Sequence, residues 1–245
     1  MRGSAIISFM FYVYILGLFS LAIRIAKGTN DAKLVYHFSY DKSQKPTVFY
    51  KPFDFINTDR KIGFIPSLLT SKQEMERVDA IYKSLVKLPI VNGANFNPLL
   101  NAVTNADRAQ NEDWIHLKTT LCFIALESLF SDSDKADIAF KVSLRTAAFL
   151  YPSREEKTEK EKVYKLLKSG YDFRSKFLHG SDANIGKFWE KLNAGRKESM
   201  VEPSEEMNAI VCEVLERILL SPDLFALFTD GSEKAQREYF DQLVL

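Results

Sequence analysis

The chain of 245 residues carries 33 Lys and Arg against 32 Asp and Glu, which gives a formal net charge of +1. Phosphate binding relies on an excess of Lys and Arg, so this balance excludes a protein that binds nucleic acid over its whole surface and leaves only a local contact. Two cysteines and three widely separated histidines exclude a disulfide framework and a histidine zinc site, so we expect buried free thiols at Cys122 and Cys212, no metal ion, no cofactor and a reducing, cytoplasmic location.

An apolar segment without a charged residue occupies residues 3–23, bracketed by Arg2 and Arg24. Its length meets the requirement for a transmembrane helix. Ser, Tyr and Gly residues dilute its hydrophobicity, however, and its Ile, Phe, Tyr and Val residues suit a buried element of a globular protein equally well. We expect a buried element, and the alternative is an N-terminal membrane anchor.

Two short extended runs follow, LVYHFSYD and PTVFYKPF, separated by residues 42–45. Runs of β-branched and aromatic residues with a polar interruption are typical of a small hairpin, and Pro46 and Pro52 indicate that it has edge character. His37 alternates with apolar neighbours in the first run, and we expect a partly buried strand histidine there.

Helices account for the rest of the chain. Ser71 and Glu74 have the spacing of a capping box, which predicts a helix that Pro89 ends. Pro98 is expected to open a short helix, and the next helix, from about 112 to 130, is apolar over most of its circumference, so we expect it to be central. Further helices are predicted from Asp132 or Ser133 to about 151, over 154–178, from Pro203 to about 220, and from Ser232.

The pattern predicts a mainly α fold, a bundle of four to five helices preceded by a small extended N-terminal region. We divide the chain into an apolar and strand-containing region over 1–70, a connecting helix and turn over 71–95, the bundle over 96–222, and a C-terminal helical tail over 223–245. Within the bundle, we expect Arg145 to be an interior arginine paired with Glu127.

The segment YDFRSKFLHG, residues 171–180, places Arg174, Lys176 and His179 within six residues at the end of the fourth helix. A guanidinium can hold two phosphate oxygens at once, and an imidazole can accept or donate a proton near neutral pH. Cleavage of a phosphodiester by a 2′-hydroxyl needs proton transfer and stabilisation of the charge on the pentavalent phosphate. The segment therefore indicates an anion site with a titratable partner.

The spacing imposes a geometric condition on this site. Positions five apart on a regular helix differ by about 140°, so Arg174 and His179 would not share a face. They converge only if the helix ends, and Gly180 is expected to let the last turn unwind so that His179 swings toward Arg174. Ser175, four residues before His179, could then orient the ring, while Lys176 is typical of a solvated position.

Three elements in order carry a resemblance to a known family: FIALESLF at residues 123–130, KVSLRTAAFL at 141–150, and the Arg-x4-His motif RSKFLHG at 174–180. They resemble the HEPN superfamily, and more closely its Apea-like branch, over about residues 65–220. The resemblance implies an all-α bundle that dimerises and acts as a metal-independent endoribonuclease, commonly in antiviral defence or toxin systems. By position, it implies that Arg174 clamps the phosphate, His179 moves protons and Ser175 fills the polar place after the arginine, and Glu127 could orient Arg174.

Alternatives remain open at this site. His179 could be a helix cap that bonds terminal carbonyls, with Arg174 paired to Asp172 or Glu127 in a structural role. The superfamily also includes inactive members, so a non-catalytic RNA-binding or dimerisation module is a second hypothesis, and a membrane-tethered helical protein is a third. Transphosphorylation needs both an acid and a base while each chain offers one credible histidine, which favours a homodimer with a composite site. A regulatory partner that delivers RNA would fit the balanced charge.

Overall fold

A computed structural model describes residues 17–28, 37–40, 46–49, 71–88, 97–132, 137–181 and 203–244. These residues are mainly α-helical, which confirms the predicted fold class. The elements in chain order are α1 (17–27), β1 (His37–Tyr40), β2 (Pro46–Phe49), α2 (Lys72–Lys87), α3 (Pro98–Gln110), α4 (Ile115–Phe130), α5 (Ile138–Leu150), a 3₁₀ turn (Arg154–Glu156), α6 (Lys157–Leu178), α7 (Pro203–Leu220), α8 (Pro222–Thr229) and α9 (Glu233–Val244).

The two strands form the predicted hairpin. They pair antiparallel, with His37 opposite Phe49 and Tyr40 opposite Pro46. Pro46 is the first residue of its strand, a position at which a missing backbone N–H does least harm to the ladder.

Helix α1 belongs to the apolar N-terminal segment and is buried in the core through Leu18, Leu21, Ala22, Ile23 and Ile25. Arg24 is also buried, and its guanidinium bonds to Asp107 and, at 3.1 Å, to the Asn111 side chain on the far end of α3. The expected buried element is therefore present over 17–23, as a helix, whereas residues 3–16 of that prediction lie outside the described residues. Among the helices described, none combines the length and the apolarity that crossing a bilayer requires.

Helix α4 is the centre of the bundle, as its apolar circumference predicts. It packs against α3, α5, α6 and α7. Helix α2 packs on the outer side of α7, where Arg77 forms a two-pronged pair with Glu216. Cys122 on α4 and Cys212 on α7 are buried free thiols, as predicted, and burial raises the pKa of both, that of Cys212 to about 12. At neutral pH both are neutral and unreactive.

The starts of several helices follow the local signals. Ser71 and Glu74 form the reciprocal capping box, Asn97 caps α3 ahead of Pro98, and α7 begins at Pro203. The start of α5 was predicted wrongly: its N-cap is Asp137, in the left-handed conformation at φ 52°, and Asp132 does not cap it. The Asp132 carboxylate instead accepts hydrogen bonds from two side chains of α5.

Asp132 lies between two cations of α5. Arg145 Nη2 donates to Asp132 Oδ2 at 2.8 Å, and Lys141 Nζ donates to Oδ1 at 3.1 Å. Arg145 also donates through Nη1 to the Phe130 carbonyl at 2.8 Å, so the predicted pairing of Arg145 with Glu127 is wrong. Burial alone would raise the pKa of Asp132, but the hydrogen bonds and positive charges of Arg145 and Lys141 outweigh it and hold that pKa below its usual range.

Asp132→Asn is expected to remove part of the acid sensitivity of folding. Because the pKa of Asp132 is lowered in the folded protein, its stabilisation is present above the unfolded value of about 3.9 and is lost as the pH falls through the lower folded value. The difference in unfolding free energy between the native protein and the variant should therefore be largest at neutral pH and should shrink below about pH 4. Urea unfolding across a pH series measures it.

The control for this series is Asp79→Asn, which breaks an exposed i,i+4 pair with Lys83 on α2. Exposed pairs contribute little, so this variant should follow the native protein at every pH. A difference for Asp132→Asn that does not change between neutral and acid pH would contradict the assigned ion pairs.

The C-terminal helices close one end of the bundle with an aromatic cluster. Phe240 of α9 is 2% exposed and packs against Phe130 at 5.4 Å and Phe228 at 6.1 Å between ring centroids. The guanidinium carbon of Arg145 lies 5.0 Å from the centroid of the Phe240 ring. Helix α9 was predicted from Ser232, but α8 was not, although Ser221 and Pro222 give it an ordinary start signal.

Candidate functional site

Helix α6 is seated tightly on its neighbours where it approaches the candidate site. Gly170 faces α4 and α7, and a Cβ atom placed there would lie 2.9 Å from both Met207 Sδ and Phe123 Cε2. One residue later, Tyr171 packs edge-on against Phe123, with ring centroids 5.8 Å apart. The absence of a side chain at position 170 thus lets the backbone of α6 lie close to α4 and α7.

The end of α6 is a glycine cap of the kind that the sequence predicts. Gly180 adopts φ 65°, its N–H donates to the Phe177 carbonyl at 3.1 Å, and Ser181 N–H donates to the Lys176 carbonyl at 2.8 Å. These two bonds form a Schellman motif, which satisfies carbonyls that the helix end would leave unpaired. The motif fixes the backbone on which His179 stands.

His179 is exposed at this cap, and its backbone still belongs to the last helical turn. Its own N–H still donates to the Ser175 carbonyl at 3.1 Å, so the last turn stays helical and unwinding begins only at Gly180. The unwinding of the last turn that this convergence was expected to need is therefore absent before Gly180. No hydrogen bond joins the His179 ring to Arg174 or to the Ser175 hydroxyl, all three of which lie in the described part of α6.

Arg174 is held by α4, as the sequence predicts. Its Nη1 donates to Glu127 Oε1, and the two side chains are only 15% and 21% exposed. The guanidinium carbon lies 5.6 Å from the centroid of the Tyr171 ring, one turn earlier on the same helix face. Nε is buried without a hydrogen bond and Nη2 makes none to any described residue, so the bond to Glu127 uses only one of the three guanidinium nitrogens.

The other two predicted residues occupy the surface of the same turn. Lys176 is exposed, as expected of a solvated position, and Ser175 is half-buried. Lys176 therefore adds a mobile positive charge near His179, and Ser175 contributes its carbonyl rather than its hydroxyl to the site.

An aromatic group beside this helix end was not predicted as part of the site. Trp114 lies just before α4, is 55% exposed, and packs edge-on against Phe177 with ring centroids 5.2 Å apart. His116 stacks on Phe173 with centroids 5.0 Å apart and an interplanar angle of 27°. The pair Phe173 and Phe177, four residues apart on one face of α6, is the sequence signal that could have revealed it.

No family model, curated protein or solved structure matches the chain. The resemblance to HEPN proteins therefore depends on residues 123–130, 141–150 and 174–180. Any activity has to be inferred from what the side chains at the end of α6 can do.

The last two turns of α6 carry three groups that can exchange protons or bind anions. One imidazole stands in solvent, one ammonium lies three residues before it, and one guanidinium, whose Nη2 makes no hydrogen bond to a described residue, lies about 7.5 Å back along the helix axis. Such a set can bind a phosphate and transfer one proton. A reaction that needs an acid and a base at once requires a second group from elsewhere.

Proposed function

We propose that the protein is a metal-independent endoribonuclease of the HEPN type, in which a 2′-hydroxyl of RNA attacks the adjacent phosphate. The observation that carries the proposal is the exposed imidazole of His179, five residues after Arg174. The glycine cap at Gly180 fixes the backbone of His179, and Nη2 of Arg174 makes no hydrogen bond to a described residue. A role in antiviral defence or in a toxin system, a cytoplasmic location and control by a partner protein that delivers RNA belong to the same proposal.

In this mechanism Arg174 and His179 have separate tasks. Arg174 Nη2 donates to a non-bridging phosphate oxygen, where negative charge increases as the pentavalent phosphate forms. Glu127 holds the guanidinium so that little reorganisation accompanies this bond. His179 removes the proton of the 2′-hydroxyl or returns one to the departing 5′-oxygen, and Lys176 contributes positive charge nearby.

A homodimer with a composite site completes the chemistry. One histidine cannot serve as both base and acid in the same step, and a two-fold axis would place a second His179 near the same phosphate. The directions of the side chains support this arrangement, because Arg174 and His179 project about 140° apart on a regular helix. The arginine of one protomer can then face the histidine of the other across a shared cleft.

The test is cleavage of single-stranded RNA by the purified protein in excess chelator, with the products analysed for a 2′,3′-cyclic phosphate. Arg174→Ala should lose activity by about 100-fold or more, since it removes a donor aimed at the charge that develops in the transition state. Arg174→Lys, which keeps a positive charge beside Glu127, guards against a variant that simply unfolds and should still fall well below the native rate. Cleavage that persists at the native rate in both variants would refute the assigned role.

The matched control is Arg237→Ala on α9, an arginine whose i,i+4 pair with Glu233 is half-exposed. It lies on a different helix from Arg174 and should leave cleavage unchanged.

A second candidate is an inactive module of the same family that binds RNA or dimerises. The pairing of Arg174 with Glu127 favours it, because the ion pair between α6 and α4 gives the arginine a structural role without any chemistry. This candidate predicts RNA binding without any cyclic phosphate product. The same set of variants distinguishes the two, since only the nuclease loses a chemical activity on substitution.

A further inference from the structure

Trp114 breaks two local rules at once. The residue before a helix is usually one whose side chain caps it, yet Trp114 stands at the N-cap of α4 and makes no side-chain capping bond. It also leaves 55% of a large apolar side chain in contact with water. Departures from local preference are expected at functional or strained sites.

The indole is nevertheless held in place. Its ring packs at 88° against Phe177 and lies 5.6 Å from the His116 ring, which in turn packs against Phe177 at 5.0 Å. The backbone N–H of Trp114 donates to the Glu112 carboxylate at 2.8 Å. An exposed aromatic ring that is braced on one side and fixed at its backbone loses little freedom when a flat ligand stacks on it.

The position of the ring relates it to the proposed chemistry. Phe177, against which Trp114 packs, belongs to the last turn of α6. In the sequence it follows Lys176 and precedes His179 by two residues. The Glu112 carboxylate lies against the backbone N–H of Trp114, so a phosphate is disfavoured there, while Lys176 places a positive charge on the last turn of α6. An uncharged aromatic ligand linked to a phosphate matches this distribution.

We propose that Trp114 is a stacking platform for a nucleobase of single-stranded RNA, adjacent to the phosphate that His179 and Arg174 engage. The inference rests on the proposed ribonuclease function and adds the form of its substrate. Only unpaired RNA exposes a base face to a protein side chain, and stacking on an aromatic ring tolerates any base sequence. The platform would therefore select single strands over duplexes without reading their sequence.

The experiment uses the fluorescence of Trp114 in the full chain carrying Trp189→Phe, since the sequence holds two tryptophans. The probe is a 2′-O-methyl oligoadenylate, which lacks the attacking hydroxyl and so cannot be cleaved. It should quench Trp114, and its duplex with complementary oligouridylate should not. Trp114→Ala should weaken binding of a labelled probe roughly 5- to 150-fold, the range for loss of one base–aromatic stack, and Trp114→Phe should retain part of the affinity.

Phe140→Ala serves as the matched control, because this ring on α5 is 50% exposed and takes no part in the site. It should bind the probe like the native protein. Unchanged affinity in Trp114→Ala, absence of quenching, or equal quenching by the duplex would overturn the platform. Quenching by the probe that disappears as the protein concentration rises would show that a second copy of the chain covers the ring, and would overturn it too.

The platform and the ribonuclease proposal fail in different ways. Binding through Trp114 by a protein that never cleaves RNA would leave the platform in place and refute the nuclease. Cleavage at the native rate by Trp114→Ala, with normal RNA affinity, would refute the platform and leave the nuclease.

Discussion

Replacing His179 by alanine is expected to slow RNA cleavage by about 100- to 10,000-fold, the usual contribution of a general acid–base group. The side chain is exposed and takes no part in the Schellman motif, whose hydrogen bonds are all between backbone groups. The variant should therefore fold normally and keep its affinity for a non-cleavable RNA. Initial rates of cleavage and circular dichroism of the same samples measure both effects.

The matched control is Lys168→Ala, an exposed cation on the same helix, which should cleave at the native rate.

Mixing the native protein with His179→Ala adds a sharper test of the composite site. If two histidines share one site, His179→Ala titrated into the native protein and allowed to exchange subunits should suppress its activity through mixed dimers. Native activity that stays constant in the presence of excess variant would exclude the two-histidine mechanism, although not a single-chain one.

Phe240→Ala is expected to lower the free energy of unfolding by about 3–5 kcal/mol, as for other large-to-small changes at buried aromatic positions. The ring is 2% exposed and joins α9 to Phe130 and Phe228, and it also lies against the Arg145 guanidinium. Its loss would leave a cavity beside a buried cation. Since whole domains are stable by only about 5–15 kcal/mol, this single change should shift the urea midpoint markedly.

The control for Phe240→Ala is Phe140→Ala, the half-exposed ring on α5, which should cost less than about 1 kcal/mol. Urea unfolding of both variants gives the comparison. An unchanged slope of the unfolding free energy against urea concentration would show that the substitution does not alter the compactness of the unfolded state. If Phe240→Ala lowered the unfolding free energy no more than Phe140→Ala does, then α9 would not pack into the core in solution.

Helix positions were largely predictable because their signals are local. The capping box of Ser71 and Glu74, and the prolines at 98 and 203, act on neighbouring backbone groups, so they hold in any tertiary context. The start of α5 was predicted wrongly because the Asp132 carboxylate can either cap a helix or form ion pairs. Its carboxylate suited a cap, but Arg145 and Lys141 from the following helix bind it more strongly, and sequence spacing does not reveal that competition.

The site was predictable only in part for a similar reason. Glu127 and Arg174 are 47 residues apart, and their pairing was anticipated through the family resemblance rather than through spacing. The direction of His179 depended on where unwinding begins, which the hydrogen bond from its N–H to Ser175 decides. Trp114 falls inside the helix predicted from about 112 to 130, because periodicity does not distinguish a residue just outside a helix from one inside it.

Gly170 sets the register of α6 in the bundle. Side chains flank it on the helix, so a shift of α6 by one turn along its axis would push a bulkier residue into the gap against Met207 and Phe123. Arg174 lies about 6 Å and His179 about 13.5 Å beyond this point on the same rigid helix. The heights at which both groups stand relative to α4 are therefore determined by a residue that has no side chain and takes no part in the chemistry.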